Sequence, residues 1–379
     1  MRIGIITIHD APNYGACLQS YALWKYLSDC GWDCELIDLR RPGHHDFVFD
    51  KRHMEYRVFT KRKLKKRFKR ILVKIGLYKQ KRYLTIEAER KFKAFNGLIK
   101  MSCPYTRIAS LYKKTPIYDI YITGSDQVWN PTQPYCLEPY FLTFAPKDKR
   151  RLSYASSIGI TKLTSKEKQD FALWLRQYDA VSVREKQAKN LLEAITGIPI
   201  TQVADPTFLL DRGHWRSLAV SPMVKAPYML LFTLAYNRDL LDYAIGIGKQ
   251  SGKHVLYLTA VQPEPDNSDY TAITDAGPRE WLGYIGGASM VITDSFHGTV
   301  FSIIMGVDNF FTYIASANRR GSRITDLLDT FGLSDHLLLQ DLSDTYGSLN
   351  SRNINHVHVE TIINEEMRNG RIFLDRNII

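Results

Sequence analysis

The stretch that decides the fold is Asp294-Ser295-Phe296-His297-Gly298-Thr299, which lies between two apolar runs. The run before it, 288–293, has the composition of a buried strand, and the run after it, 300–305, that of a packed helix. In a parallel α/β sheet such a turn lies at the carboxyl end of a strand, where ligands bind. Helix amides attract anions there, and His297 can carry a proton near neutral pH. The stretch predicts an anion site with an acid beside it, or a turn in which Ser295 only caps the helix.

Two further stretches repeat this pattern of a short strand that ends in small and polar residues. The first strand, 2–8, leads to Asn13, which can cap the next helix, and to Gly15, which lets backbone approach a ligand closely. A second strand, 118–123, runs into Gly124-Ser125-Asp126-Gln127-Val128-Trp129. Each turn alone is an ordinary strand-to-helix loop. Three of them in one chain predict a cleft built from several strand ends.

The rest of the chain alternates strands and helices, which is typical of an α/β protein. A first series of strands is predicted at 2–8, 33–39, 118–123, 151–156, 179–183 and 200–204, and a second at 228–234, 254–259 and 289–293. The stretch 261–276 contains two Pro and several Asp, so it is predicted to be a surface loop.

These patterns predict two Rossmann-like domains that face a central cleft. The 379 residues suit two domains of ordinary size. The N-terminal domain is placed at 1–212, with a basic helical insertion at about 51–100, and the C-terminal domain at 213–335. The final segment, 336–379, is predicted to end in a helix that packs back on the first domain.

The net charge of +12 is concentrated in one segment, 51–82, which holds fifteen Lys or Arg and a single acid, Glu55. Apolar residues recur in it at helical spacing, so a basic amphipathic helix is predicted over 57–82. Three interpretations stay open. The helix presents a solvated charged face, or it adheres to an anionic inner-membrane surface, or it binds nucleic acid. The last is the least favoured, because base-stacking aromatics are missing and the rest of the chain carries almost no net charge.

Composition favours a metal-free protein of the cytoplasm. No run of 18 apolar residues and no apolar leader occurs, so neither a membrane span nor a signal peptide is predicted. Five scattered cysteines suit reduced thiols rather than a disulfide framework. No Asp-x-Asp pair is present to hold a divalent metal with a nucleotide sugar, and no cofactor is predicted.

Seven motifs in order along the chain resemble those of the polysaccharide pyruvyl transferases. They are Asn13-Tyr14-Gly15-Ala16 with Leu18-Gln19, Gly124-Ser125-Asp126-Gln127-Val128-Trp129, 154–159, Val181-Ser182-Val183-Arg184-Glu185, 205–210, Gly277-Pro278, and Ser295-Phe296-His297-Gly298-Thr299-Val300-Phe301-Ser302. The resemblance runs from the first strand to about residue 335. It implies a fold like that of the glycosyltransferases of type B (GT-B). The chain departs from the family pattern at Ser334-Asp335-His336, where a basic residue is frequent.

Known members of that family move the enolpyruvyl group of phosphoenolpyruvate (PEP) onto two hydroxyls of a sugar and form a cyclic ketal. The resemblance therefore implies that PEP is a co-substrate and that a proton donor, cations and a proton acceptor line the cleft. His297 suits the donor and Asp126 the acceptor, although Asp126 would equally serve as a helix cap. PEP would be held by Arg184, Ser295, Gly298, Thr299 and Arg323. The sugar would contact Asn13, Gln19, Ser125 and Gln127.

The resulting prediction is a metal-independent ketal pyruvyltransferase of bacterial capsule or exopolysaccharide biosynthesis. Its acceptor would be a sugar, carried on undecaprenyl diphosphate if the enzyme works at the inner face of the cell membrane. Two alternatives stay open. One is a two-domain glycosyltransferase that uses a nucleotide sugar, and the other is a catalytically silent member that binds a saccharide.

Overall fold

A computed structural model describes residues 1–42, 44–50, 85–133, 135, 137–224, 227–259, 268–315 and 322–379. The predicted basic helix at 57–82 lies outside the described residues. The part of the predicted loop that precedes residue 268 also lies outside them. Within the described part of the chain, no helix is both long enough and apolar enough to cross a membrane.

The first sheet has six parallel strands in the order β2-β1-β3-β4-β5-β6. Their bounds are β1 Arg2–Ile6, β2 Asp33–Leu36, β3 Ile120–Thr123, β4 Arg150–Ser156, β5 Ala180–Val183 and β6 Ile200–Gln202. The central strand β3 is buried along its whole length, as expected for a parallel sheet with helices on both faces. The chain reverses its direction across the sheet after β2, and the crevice at such a reversal is a ligand position in open α/β sheets.

The helices around this sheet are α1 Tyr14–Asp29, α2 Ile86–Asn96, α3 Ile108–Lys113, α4 Ser165–Leu175 and α5 Lys186–Thr196. Helix α1 begins at the predicted cap, because the Asn13 side chain accepts a hydrogen bond from the amide of Ala16 at 3.1 Å. Most of α1 is buried. It is buried on several sides because it packs on its own sheet and also against the second domain.

The second sheet has five parallel strands in the order β11-β10-β7-β8-β9. Their bounds are β7 Tyr228–Thr233, β8 His254–Thr259, β9 Tyr270–Ile273, β10 Met290–Thr293 and β11 Phe310–Thr312. The accompanying helices are α6 Arg212–Leu218, α7 Arg238–Ser251, α8 Pro278–Gly286, α9 Phe296–Met305, α10 Ser322–Thr330, α11 Tyr346–Asn350 and α12 His356–Ile378. The predicted strand at 289–293 and the helix that follows it are both present.

The prediction of a surface loop over 261–276 is wrong for its second half. Strand β9 forms there and pairs in parallel with β8, with Tyr270 opposite Val255 and Ile273 opposite Leu258. Tyr270 and Ile273 are buried, and the two residues between them are partly exposed. An edge strand with only two buried side chains has too little apolar content to stand out beside Pro and Asp residues.

Helix α12 contacts both domains. Near its start, His356 Nε2 lies 2.9 Å from the Asp308 carboxylate of the second domain. Near its end, Arg371 donates to the Leu209 carbonyl at 2.7 Å, and Tyr26 of α1 donates to the Asp375 carboxylate at 3.1 Å. One continuous apolar core includes residues of both sheets. The two sheets are thereby held with their strand ends around a common cleft.

Candidate active site

Asp205 lies at the centre of a buried polar cluster between the two sheets. It follows β6 and precedes a short 3-10 helix, Pro206–Leu209, and it is 1% exposed. One carboxylate oxygen, Oδ1, accepts hydrogen bonds from the Thr207 amide at 3.1 Å and hydroxyl at 2.9 Å. The other, Oδ2, faces Arg184 Nη1 at 2.6 Å and His297 Nε2 at 3.4 Å. A single carboxylate therefore joins residues from three strand ends and both domains.

His297 is the second residue of α9, and its imidazole lies between Asp205 and Gly15 of the first domain. A Cβ atom on Gly15 would lie 2.1 Å from His297 Nδ1, so only glycine fits at this point. The close approach predicted for Gly15 is therefore to the histidine ring rather than to a ligand. The Nε2 atom of His297 faces the Asp205 carboxylate at 3.4 Å. This separation is short enough for an ion pair but longer than a good hydrogen bond.

Arg184 follows β5, and its side chain is almost fully buried. Besides its bond to Asp205, its Nε lies 3.4 Å from Glu185 Oε1, and its guanidinium carbon lies 4.3 Å from the centre of the Phe296 ring. Its Nη2 is buried and has no hydrogen-bond partner among the described residues. An unsatisfied buried donor costs about 1–3 kcal/mol, and the cost is removed when a ligand accepts from it.

The charges in this cluster stabilise one another. Burial acts to raise the pKa of the Asp205 carboxyl, but His297 and Arg184 outweigh that effect and hold its pKa well below the usual range. Burial acts to lower the pKa of the Arg184 guanidinium, yet Glu185 and Asp205 raise it overall. Asp205 is therefore an anion, and Arg184 a cation, at every physiological pH.

A cavity of about 310 Å³ opens beside the cluster. Arg184, Glu185 and Asp205 contribute to its wall on the side of the first domain, and Phe296 and Arg323 on the side of the second. The guanidinium carbon of Arg323 lies 5.5 Å from the Phe296 ring centre, so both arginines contact the same aromatic ring. The predicted PEP residues Arg184 and Arg323 are thus brought together at one cavity.

The other residues predicted to bind PEP are engaged within the turn that begins α9. Ser295 caps the helix by accepting from the Gly298 amide at 3.2 Å, and the Thr299 amide donates to the Ser295 carbonyl at 3.0 Å. The Thr299 hydroxyl contacts Thr312, and its side chain is fully buried. A phosphate could reach the Gly298 or Thr299 amide only if these internal bonds opened.

The residues predicted to contact the sugar are mostly structural in this conformation. Gln19 is fully buried, and its amide donates to three oxygens of the first domain, so it cannot touch a ligand. Ser125 is also fully buried, and its hydroxyl donates to Asp205 Oδ2 at 3.4 Å. The Gln127 side-chain oxygen accepts from Asn130 at 2.7 Å. Asn13 caps α1.

Asp126, predicted as the proton acceptor, has a left-handed backbone with φ of 66°. Its carboxylate accepts from the Gln127 amide at 2.7 Å. No helix begins at Gln127, so the predicted alternative role as a helix cap is wrong. It does not line the cavity beside Arg184.

Two functional candidates were not identified from the sequence, namely Asp205 as the link between the domains and Glu185 as a cavity residue. The available signal was positional. Arg184-Glu185 places charge directly after β5, in the same way as Asp294 after β10, and Asp205 lies three residues beyond the end of β6. Asp205 also precedes Pro206, which makes it read as an ordinary cap.

The described residues include one group of side chains with the spacing of metal ligands, His44, His45 and Asp46. They are adjacent in sequence and mostly exposed, and none of them lines the cavity. They carry no argument about the reaction.

Known proteins resemble the chain in sequence or in fold. The sequence model of the polysaccharide pyruvyl transferases matches residues 13–312, whereas no protein of curated function matches significantly. The crystal structure of Arabidopsis thaliana UGT89C1 complexed with UDP-L-rhamnose has 10% identity and a TM-score of 0.53, covering 97% of this chain and 94% of that chain. The crystal structure of the same protein complexed with quercetin has 9% sequence identity and a TM-score of 0.50, covering 100% of this chain and 99% of that chain. The crystal structure of Methanocaldococcus jannaschii UDP-GlcNAc 2-epimerase in complex with UDP-GlcNAc and UDP has 15% sequence identity and a TM-score of 0.47, covering 98% of this chain and 99% of that chain.

Two parallel sheets with facing strand ends, and the likeness to UGT89C1, define a two-domain α/β protein of the GT-B type. At such low identity the likeness establishes the fold alone. The family match extends over most of the chain and includes Arg184, Asp205 and His297. The chain belongs to the polysaccharide pyruvyl transferase family.

Proposed function

We propose that the protein transfers the enolpyruvyl group of PEP to two hydroxyls of a sugar and forms a cyclic pyruvate ketal. The observation that carries this proposal is the buried Arg184 Nη2, which has no partner among the described residues and belongs to a side chain that lines the cavity. Such a donor fits a carboxylate or phosphate oxygen, and PEP has both groups. Arg323 at the same cavity offers a second cation.

His297 is not part of the cavity wall, but it contacts Asp205, which is, and it supplies the proton that this chemistry needs. Its Nε2 faces the Asp205 anion, and its ring is positioned by the contact with Gly15. Protonation of the terminal CH₂ carbon of PEP turns it into a methyl group and leaves positive character on the carbon that bears the phosphate. A sugar hydroxyl attacks this carbon, phosphate leaves with the C–O electron pair, and a second hydroxyl closes the ketal.

The protons of this reaction balance without a further reactant. The two hydroxyls release two protons. One replaces the proton that His297 gives to the CH₂ carbon, and the other leaves with the phosphate as HPO₄²⁻. No oxidant or reductant is consumed, and neither step requires a metal to balance charge or atoms.

The biological setting that suits this reaction is the assembly of a bacterial capsule or exopolysaccharide at the inner face of the cell membrane. The acceptor there would be a sugar on a lipid diphosphate. The basic segment at 57–82, which lies outside the described residues, would hold the protein near the anionic lipid.

Thermal-shift measurements with PEP, UDP, GDP and CMP test this proposal against the two alternatives. A ligand at 100 times its dissociation constant stabilises the folded state by about 2.7 kcal/mol. Stabilisation by PEP alone supports the pyruvyltransferase, and stabilisation by a nucleotide alone supports a nucleotide-sugar glycosyltransferase. Stabilisation by none of them supports a silent saccharide-binding member. The likeness to a UDP-L-rhamnose complex does not favour the second outcome, since it concerns the fold alone.

Replacing Arg184 with lysine is expected to weaken PEP binding about tenfold or more, because one charge-assisted hydrogen bond is worth about 1.5–3 kcal/mol. Arg184 bonds Asp205 with Nη1 and retains Nη2 for a ligand, whereas a single ammonium group cannot occupy both positions. Titration calorimetry with PEP gives the dissociation constants. Arg151→Lys is the matched control, because Arg151 is also buried in the first domain but bonds the carbonyls of Ala145 and Pro146. Equal affinities in wild type and Arg184→Lys would assign Arg184 a purely structural role.

The basic segment predicts salt-sensitive binding to anionic vesicles. Each Lys or Arg near such a surface contributes about 1 kcal/mol, and the attraction is screened beyond about 10 Å at 0.1 M salt. Sedimentation with phosphatidylserine vesicles should fall as salt rises, and phosphatidylcholine vesicles are the control. Changing Lys61, Lys65, Lys66 and Lys69 to Gln should reduce sedimentation and spare turnover of a water-soluble acceptor. Wild-type protein that ignores anionic vesicles at low salt would show that the segment is a solvated face.

A further inference from the structure

Glu185 has a buried carboxylate oxygen that nothing in the described structure satisfies. The residue is 5% exposed and lines the cavity beside Arg184. Its Oε1 accepts from the Ser157 hydroxyl at 2.5 Å and lies 3.4 Å from Arg184 Nε. Its Oε2 is buried and has no partner among the described residues. Because buried polar atoms are nearly always hydrogen-bonded, this oxygen indicates a donor on a ligand.

The cavity wall offers two kinds of contact. Arg184 and Arg323, whose guanidinium carbons lie 4.3 and 5.5 Å from the centre of the Phe296 ring, suit an anion. The remaining polar wall includes four carboxylates, Glu185, Asp205, Asp326 of α10 and Glu366 of α12. A second anion would be repelled there, whereas a ligand rich in hydroxyl donors would be bound.

The environment of these carboxylates supports a neutral ligand. Burial and the neighbouring charge of Glu185 raise the pKa of Asp326, and burial together with Glu365 raises that of Glu366. Their acidity is therefore reduced, and additional hydrogen-bond donors would stabilise them. Among the described residues they do not form a group with the spacing of metal ligands.

We propose that the carboxylate-lined wall of this cavity is the acceptor-sugar subsite, beside the PEP contacts of Arg184 and Arg323, and that Glu185 Oε2 is the base that accepts the proton of the attacking hydroxyl. This inference rests on the proposed function. The acceptor unit is an uncharged hexose, since the carboxylates of the wall disfavour a carboxylate or phosphate on the sugar ring. PEP held by Arg184 then lies next to a sugar held by the adjacent residue, which brings the two reacting atoms together.

The proposed step is balanced. The O–H bond of the hydroxyl breaks, its proton goes to Glu185 Oε2, and its electron pair forms the bond to the PEP carbon that bears the phosphate. The protonated Glu185 returns the proton to the departing phosphate, which leaves as HPO₄²⁻. This assignment replaces the one made from the sequence, in which Asp126 was the acceptor, because the Asp126 carboxylate accepts from the adjacent Gln127 amide, whereas Glu185 Oε2 has no partner among the described residues and belongs to a side chain that lines the cavity.

Glu185→Gln tests the assignment, with Glu167→Gln as a matched control. Glu167 is likewise a buried glutamate of the first domain, but it belongs to the capping box of α4. The probes are PEP and the p-nitrophenyl glycosides of glucose, galactose and mannose, with p-nitrophenyl glucuronide as the anionic counterpart. Phosphate release gives kcat and KM, and titration calorimetry gives the affinity for PEP.

We expect Glu185→Gln to lower kcat about 10²-fold or more, the usual contribution of a general base, while the dissociation constant of PEP changes less than threefold. Glu167→Gln should retain both values. At least one neutral hexoside should support phosphate release, and the glucuronide should not. If Glu185 had only a structural role, its replacement would weaken the binding of PEP and of the hexoside alike, because it would disturb Arg184.

Three results would overturn the inference. They are an unchanged kcat in Glu185→Gln, a parallel loss of PEP affinity, and a wild-type protein that binds PEP but releases no phosphate with any neutral hexoside. Failure of the wild type to bind PEP would instead contradict the proposed function, and the subsite would fall with it. If Glu185→Gln does not fold, Asp326→Asn tests the sugar subsite in its place. It should raise the hexoside KM severalfold at constant PEP affinity, and an unchanged KM would count against the subsite.

Discussion

Replacing His297 with glutamine is expected to reduce acceptor-dependent phosphate release from PEP by about 10²–10⁴-fold, the range that general acids contribute. The imidazole lies between the Asp205 anion and Gly15, and glutamine retains hydrogen-bonding capacity but cannot act as an acid near neutral pH. The affinity for PEP should change much less than turnover, because Arg184 remains. Stopped assays of phosphate release, with calorimetry for PEP, measure the two effects separately.

The control for this variant is His336→Asn. His336 is also a buried histidine of the second domain, but its Nδ1 donates to the Phe310 carbonyl at 2.7 Å, and it has no contact with the cavity. It should cost stability and leave kcat unchanged. A folded His297→Gln protein with wild-type turnover would show that the proton comes from another group.

Replacing Asp205 with alanine is expected to abolish turnover and to lower the free energy of unfolding by about 3–5 kcal/mol, the cost of breaking a buried ion pair from one side. The change removes the partner of Arg184 Nη1 and the anion that faces His297, so the buried Arg184 guanidinium loses its nearest counter-ion. Urea unfolding of wild type and variant gives the difference. A loss of less than about 1 kcal/mol would mean that Asp205 does not hold the cluster together.

The pH dependence of this stabilisation has a defined sign. The pKa of Asp205 in the folded protein is below its unfolded value of about 3.9, so the carboxylate stabilises the fold fully above that unfolded value. The stabilisation is lost as pH falls through the lower, folded pKa. The contribution of the Asp205 carboxylate to the difference between wild type and Asp205→Ala should therefore be complete above about pH 5 and decrease only below about pH 4. A difference that stays the same as pH falls from about 4 to about 2 would contradict the assignment.

Much of the fold could be predicted from the sequence, because buried strands differ clearly from helices in their pattern of apolar residues. The run before Asp294 formed β10, and Ser295 capped the helix after it, as predicted. The same criterion failed at β9, where only Tyr270 and Ile273 are buried and the flanking residues are polar. An edge strand buries little, so its periodicity is weak.

The site could be predicted only in part, because its geometry depends on how the two domains face each other. His297 and Arg184 were recognised from charge at strand ends, and the structure places both on Asp205. The contact of Gly15 with His297 crosses the domain boundary, and nothing local indicates it. Gln19, which is predicted to contact a sugar, is buried within the first domain, where its amide donates to Thr7, Ile8 and Ala16.

The most direct test of the central claim follows carbon-13 at the CH₂ position of PEP by NMR, in the presence of wild-type protein and the neutral p-nitrophenyl hexosides. The account predicts that the vinyl signal is replaced by a methyl signal attached to a ketal carbon, with one phosphate released per methyl formed. His297→Gln should leave the vinyl signal in place over the same time. PEP that stays intact with every hexoside, while UDP-glucose is consumed under the same conditions, would contradict the account and favour the glycosyltransferase.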